Sequence, residues 1–157
     1  MDDYARMTVK EFQTALSSSS PTPGGGSAAA ISLGHAAALT CMVSDLTLSK
    51  EKWKEGWGVA EKIQGFVIPL FHESLELATK DANSFDKVVE AWKMDKNTDE
   101  EKGERSEEIK KATLNAALIP LETATKASKL LELLPDLAEK GNANAITDVA
   151  VAALLSN

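Results

Sequence analysis

Cysteine is nearly absent from this chain. With Cys41 alone, no internal disulfide can form, and a reducing cytoplasm is the expected location. Histidine is almost as scarce: His35 and His72 stand far apart, and no Cys or His cluster has zinc-ligand spacing, so no metal is expected. Basic residues are outnumbered, 17 Lys and Arg against 24 Asp and Glu; the net charge of −7 argues against a nucleic-acid partner, whose phosphates need a basic face. The glycine-rich stretch lacks Gly-x-x-x-x-Gly-Lys-Ser/Thr and follows no strand, which removes the P-loop and the dinucleotide fingerprint together. There is no Gly-x-Ser-x-Gly elbow to present a serine nucleophile. Nor is there an alternating run of strand length bounded by turn residues. The opening Met1-Asp2-Asp3-Tyr4 is acidic, unlike a secretory leader.

What is present has the balance of a folded domain. At 157 residues, 43% hydrophobic and 26% charged, the chain suits a single domain over residues 1–157 with a core of its own. Ser27 to Ser44 is the one uncharged run long enough to raise a membrane span. It is mostly alanine and carries Ser32, Gly34, His35 and Thr40, so its transfer into lipid is poor and no membrane partner is expected. Small side chains of this kind suit the middle of a tight helical bundle.

The chain is organised around Ser20-Pro21-Thr22-Pro23-Gly24-Gly25-Gly26-Ser27-Ala28-Ala29-Ala30. Two prolines stop what precedes them, three glycines bare the backbone, and Ser27 stands where it can N-cap the small-residue run that follows. Such a helix start offers free N–H groups and the positive end of a dipole to an anionic or polar group. Upstream, Thr8-Val9-Lys10-Glu11 is a capping box, with Met7 and Phe12 placed as a hydrophobic staple, and predicts a helix over 9–16.

Downstream of the glycines a buried helix is predicted to Leu48, with Cys41 a small core hydrophobe and His35 a hydrogen-bonded core histidine. Residues 51–93 read as helix, bent at Pro69, with an apolar stripe of Phe66, Leu70, Leu77, Phe85, Val88 and Trp92 on which Asp81 also stands. Thr98-Asp99-Glu100-Glu101 is a second capping box, opening a helix with Arg105, Ile109, Ala112, Ala116 and Ile119 on one face. Pro120 is expected to kink or end that helix, Leu121 to Leu134 to resume it, Pro135 to start a new turn, and Gly141 to close it as the C′ residue. The last helix, after Asn142-Ala143-Asn144-Ala145-Ile146-Thr147-Asp148, is apolar on every side and is expected to be enclosed. The fold class is all-α, a bundle of long kinked helices.

Within that frame Asp81, Arg105 and Asp148 are charges at inward positions, accompanied by Asn142 and Asn144. A buried ion-pair network that fixes helix register and a ligand site explain them equally well. Taken alone, the two asparagines suit caps at helix ends. Trp53, Trp57 and Trp92 read as core or interface anchors, and Asp95 to Lys111, Arg105 excepted, as a solvated face.

Several of these blocks share a likeness. Pro21-Thr22-Pro23-Gly24-Gly25-Gly26-Ser27-Ala28-Ala29-Ala30 resembles the Pro-x-Pro-Gly-Gly-Gly-Ser-x-Ala-Ala opening of the formiminotetrahydrofolate cyclodeaminase family, which also contains stand-alone methenyltetrahydrofolate cyclohydrolases. Asp81-Ala82-Asn83-Ser84-Phe85 is similar to its Asp-Ala-x-Ala-Phe segment, with Ser84 for the usual alanine, and Ile119-Pro120-Leu121 to its Val-Pro-Leu kink. Gly141-Asn142-Ala143-Asn144-Ala145-Ile146-Thr147-Asp148 is close to Gly-Asn-Pro-Asn-Ala-Ile-Ser-Asp, and Lys96 and Arg105 fall where the family has a lysine and an arginine. His35 departs from a position the family usually gives to a small residue. The family also continues for some tens of residues beyond Asn157, so either the chain is cut or this member lacks the last helices and covers the exposed face by dimerisation.

The resemblance implies a cytoplasmic, dimeric folate one-carbon enzyme, acting as a cyclohydrolase on 5,10-methenyltetrahydrofolate or as a cyclodeaminase on the 5-formimino compound. It implies no metal and no cofactor beyond the folate substrate. Asp81 or Asp148 would take the acid/base and cation-stabilising role. Lys96 and Arg105 would bind the glutamyl carboxylates or hold the aspartates, while the backbone of Gly24, Gly25, Gly26 and Ser27, with Asn142 and Asn144, would hydrogen-bond the pterin or glutamyl end. The rival expectation is a non-catalytic helical subunit whose aspartates are structural.

Overall fold

Local signals set most helix boundaries in the computed structural model, which describes residues 4–157. Met1, Asp2 and Asp3, on which the reading of an acidic start rests, lie outside the described residues. Five α-helices follow one another: α1 (Val9–Leu16), α2 (Gly25–Leu48), α3 (Trp57–Lys93), α4 (Asp99–Lys140) and α5 (Ile146–Ser156), with 3-10 turns at Tyr4–Arg6, Glu51–Gly56 and Ala143–Ala145. There is no strand among the described residues, and the fold class is all-α as expected.

Both capping boxes form. Glu11 N–H donates to Thr8 Oγ1 at 3.2 Å while Thr8 N–H donates to Glu11 Oε2 at 2.7 Å; at the head of α4 the Thr98 and Glu101 pair repeats the arrangement at 3.1 and 3.0 Å. Phe12 makes an edge-to-face contact with Tyr4, ring centres 5.7 Å apart. α3 continues through Pro69, as expected of a helix reaching Lys93; α4 does not end at Pro120 or restart at Pro135 but runs on to Lys140. All three prolines are exposed, so each ring stands on the open side of its helix, and packing of the opposite side holds the helix together.

The described chain folds as two compact units, one of residues 4–30 with Glu76–Glu122 and one of Ile31–Leu75 with Thr123–Asn157. In the first, small residues occupy the inside: Ser27, Ala30, Ala78, Ala82, Ala91 and Ala112 are buried beside Tyr4 and Leu77. The predicted inward face of α4 is observed, with Arg105, Ile109, Ala116 and Ile119 half-buried around Ala112. The predicted stripe of α3 holds at Leu70 and Leu77, which are buried, and at Phe66 and Val88, which are half-buried, but fails at two aromatics. Phe85 is 45% and Trp92 58% exposed, because alanines take the inward positions and let backbones come close.

In the second unit Leu33, Val43, Ile63, Val67, Leu130 and Leu137 anchor the core. Each fully buried aliphatic of this size contributes about 1.5–3 kcal/mol. α2 is the one helix among the described residues long and apolar enough to cross a membrane, with a mean hydropathy of 1.4 over its best 18 residues. Its Thr40, Ser44 and Thr47 are fully buried, and each hydroxyl donates to the carbonyl four residues earlier, so polar groups on that face are satisfied within the helix. His35 is exposed rather than a core histidine. Only Val149, Ala152 and Ser156 of α5 are buried, and Leu154 is 78% exposed, so the helix expected to be enclosed has one covered face. Gly141 follows α4 as expected but without a positive φ; its N–H donates to Leu137 C=O at 2.9 Å, and the close approach of that carbonyl leaves no room for a Cβ.

Candidate functional site

The glycine run differs from its expected form in one respect. α2 begins at Gly25, so Ser27 is not the N-cap but lies within the first turn, with its side chain fully buried. From there its Oγ lies 3.0 Å from Ala78 C=O and 3.1 Å from Asp81 Oδ2. Asp81 is half-buried on α3, and its carboxylate rests on Gly26: a Cβ added there would overlap it. This is where glycine is needed, for close approach of a side chain to bare backbone. Ser84 Oγ donates to the Asp81 backbone carbonyl at 2.7 Å, steadying the next turn. Gly25 is exposed and Gly24 half-buried, and the carboxylate lies against the same turn at Gly26.

Two expected members of this unit stand apart from that group. Lys96 is exposed on the segment between α3 and α4. Arg105 has another partner: its Nη2 donates to Trp92 C=O at 3.0 Å and its guanidinium carbon lies 4.9 Å from the Trp92 ring centre, while its buried Nε has no partner among the described residues. It therefore fastens the end of α3 rather than holding Asp81.

In the second unit Asn142 is buried and committed. Its N–H donates to Thr47 Oγ1 at 3.0 Å, Nδ2 donates to Leu46 C=O at 3.2 Å, and Oδ1 accepts from Asn144 N–H at 3.0 Å. That is the capping role, and its amide is spent on the fold. Asn144 is exposed, and Asp148 is half-buried in the first turn of α5, where the helix dipole favours a negative charge. An apolar cleft of about 450 Å³ (taken as large enough for a small ligand) is lined by Ala38, Cys41, Met42, Leu46, Ile68 and Phe71, with Asp45 at its edge. Cys41 on its wall is half-buried, less enclosed than a core cysteine. No three His, Cys, Asp or Glu side chains gather to hold a metal ion among the described residues.

The sequence pointed to Asp81 and to the glycine run separately; what it missed is the bond between them. The partner of Ser27 lies 54 positions away, and no local pattern encodes it.

Comparison with known proteins bears on the whole chain. The formiminotransferase-cyclodeaminase family profile matches residues 8–157. The chain belongs to that family. A methenyltetrahydrofolate cyclohydrolase from Methylorubrum extorquens is 40% identical over 151 residues, covering 94% of this chain and 71% of that protein. The formimidoyltransferase-cyclodeaminase of Mus musculus is 31% identical over 150 residues, which is 93% of this chain but 27% of the mouse protein. Among solved structures, formiminotetrahydrofolate cyclodeaminase from Thermotoga maritima superposes with a TM-score of 0.84 at 30% identity, over 97% of this chain and 72% of that one. This member of the formiminotransferase-cyclodeaminase family thus shares its fold with the cyclodeaminase along almost its full length.

Proposed function

We propose that the chain is a folate one-carbon enzyme, a 5,10-methenyltetrahydrofolate cyclohydrolase with Asp81 as its acid/base. The observation that carries this reading is the Asp81 carboxylate seated on the half-buried first turn of α2, at Gly26. The substrate's bridging carbon is cationic. A half-buried carboxylate attracts it more strongly than a solvated one, because the local dielectric is lower. Water adds to that carbon, giving up one proton to Asp81. The N5–C bond then breaks, N5 takes the proton back from Asp81, and the new hydroxyl becomes the formyl C=O as its own proton passes to solvent. Donors on Gly25 and Gly26 offer hydrogen bonds to the folate, and Lys96 a charge for its glutamyl carboxylates. We assign no metal or further cofactor to this scheme, the cytoplasm as its compartment, and a homodimer as its working form.

Cyclodeamination is the second reading, supported by the structural likeness to the Thermotoga maritima enzyme. There N10 attacks the formimino carbon and ammonia leaves, giving the same cation. The 40% identity to the cyclohydrolase over 71% of its length favours the first. Following the loss of near-ultraviolet absorbance of 5,10-methenyltetrahydrofolate decides between them. Turnover well above the spontaneous rate supports the cyclohydrolase, ammonia release from the formimino compound supports the deaminase, and neither supports a non-catalytic helical subunit. Asp81→Asn is expected to lower kcat by roughly 100-fold or more, the size typical of a lost acid/base. Asp148→Asn, if it alone abolishes turnover, transfers the role to Asp148.

A further inference from the structure

We propose that Ser27 is a positioning residue that fixes the Asp81 carboxylate on the bare turn at Gly26, and that it makes no contact with substrate through its side chain. This rests on the assignment of Asp81 made above. Ser27 is 0% exposed, so its hydroxyl cannot meet a ligand. Its geometry also differs from that of its neighbours. The other buried hydroxyls of α2, on Thr40, Ser44 and Thr47, each donate back to their own helix. Ser27 sits in the first turn and instead reaches α3, where its single proton lies between Ala78 C=O at 3.0 Å and Asp81 Oδ2 at 3.1 Å. Ala78 and Asp81 are one helical turn apart, so one hydroxyl ties the carboxylate to the backbone of its own helix. Gly26 completes the seat by having no Cβ where the carboxylate lies. The carboxylate is thereby held from one side by a hydroxyl and rests on backbone on the other, which is how a reacting group is kept in one rotamer.

The test uses the full chain with 5,10-methenyltetrahydrofolate, measuring kcat, KM and a thermal melt for the wild type, Ser27→Ala, Gly26→Ala and Asp81→Asn. Ser27→Ala is expected to melt as a folded protein and to lose roughly tenfold to 100-fold in kcat at unchanged KM, the signature of a displaced reacting group rather than a lost substrate contact. A wild-type kcat, or a loss confined to KM, overturns the proposal. Should Ser27→Ala not fold, Gly26→Ala decides by the same split, since its methyl must drive the carboxylate off the turn. The underlying reading fails with a different signature: Asp81→Asn at full turnover removes Asp81 from the chemistry, and a wild type without turnover removes the folate reaction.

Discussion

Burial raises the Cys41 thiol above its ordinary pKa, and the negative charge of Asp45 one turn later adds to the shift. The thiolate is the reactive form, so this cysteine is expected to alkylate more slowly than a free thiol at pH 8, with its pH–rate profile displaced upward. Asp45→Asn should move that profile back only partway, because burial is the larger of the two causes. A rate series with iodoacetamide from pH 7 to 10 checks both statements; a profile matching that of free cysteine refutes them. What the sequence could say of single residues follows from how far away their partners lie. Thr8 and Glu11 find each other three positions apart, so their bond was legible. Asp81 was legible as a carboxylate on an otherwise apolar stripe, but the Ser27 hydroxyl that holds it comes from 54 positions upstream. His35 shows the opposite failure: an alanine-rich surrounding suggested burial, yet the residue occupies the open face of α2.

Helix ends were legible where a side chain closes them locally, and the continuity of α4 was not. Pro120 and Pro135 carry the same local penalty wherever they stand, but on an exposed face the ring meets no neighbouring element, and packing of the opposite face carries the helix on. The loop after α4 is closed by a longer reach. Thr47 Oγ1 donates to Val43 C=O and accepts from Asn142 N–H, and Asn142 in turn caps the turn before α5. Thr47→Ala removes the acceptor and leaves that buried N–H unpaired, which costs about 1–3 kcal/mol. Chemical denaturation should register the loss, and hydrogen exchange should place it at residues 141–145. Thr47→Ser keeps the hydroxyl and should recover most of it. Equal destabilisation by both variants would mean that the methyl group, packed near Gly56, carries the effect instead.

At the scale of the molecule, the distribution of apolar surface bears on assembly. The sequence placed α5 inside because it is apolar all round, but the chain's own core covers only the Val149, Ala152 and Ser156 face. On α4, Leu114, Leu118 and Leu121 are 63%, 50% and 61% exposed. Their spacing of four and three puts them on one face, a continuous leucine strip of the kind that pairs helices. Soluble monomers seldom leave such a strip in water, and a net charge of −7 on each copy is a modest repulsion at physiological salt. The expected result of sedimentation equilibrium at micromolar concentration is therefore twice the 16.8 kDa chain mass. Leu118→Glu puts a charge at the centre of the strip. Because Leu118 is half exposed in the single chain, the substitution should alter the fold by no more than about 0.5 kcal/mol, leaving helical circular dichroism unchanged while the mass falls to that of one chain. If Leu154→Glu dissociates the dimer and Leu118→Glu does not, the seam lies on α5. A wild-type protein that sediments as a single chain removes the homodimer from the proposed working form, and kcat measured on that species then shows whether one copy is enough for turnover.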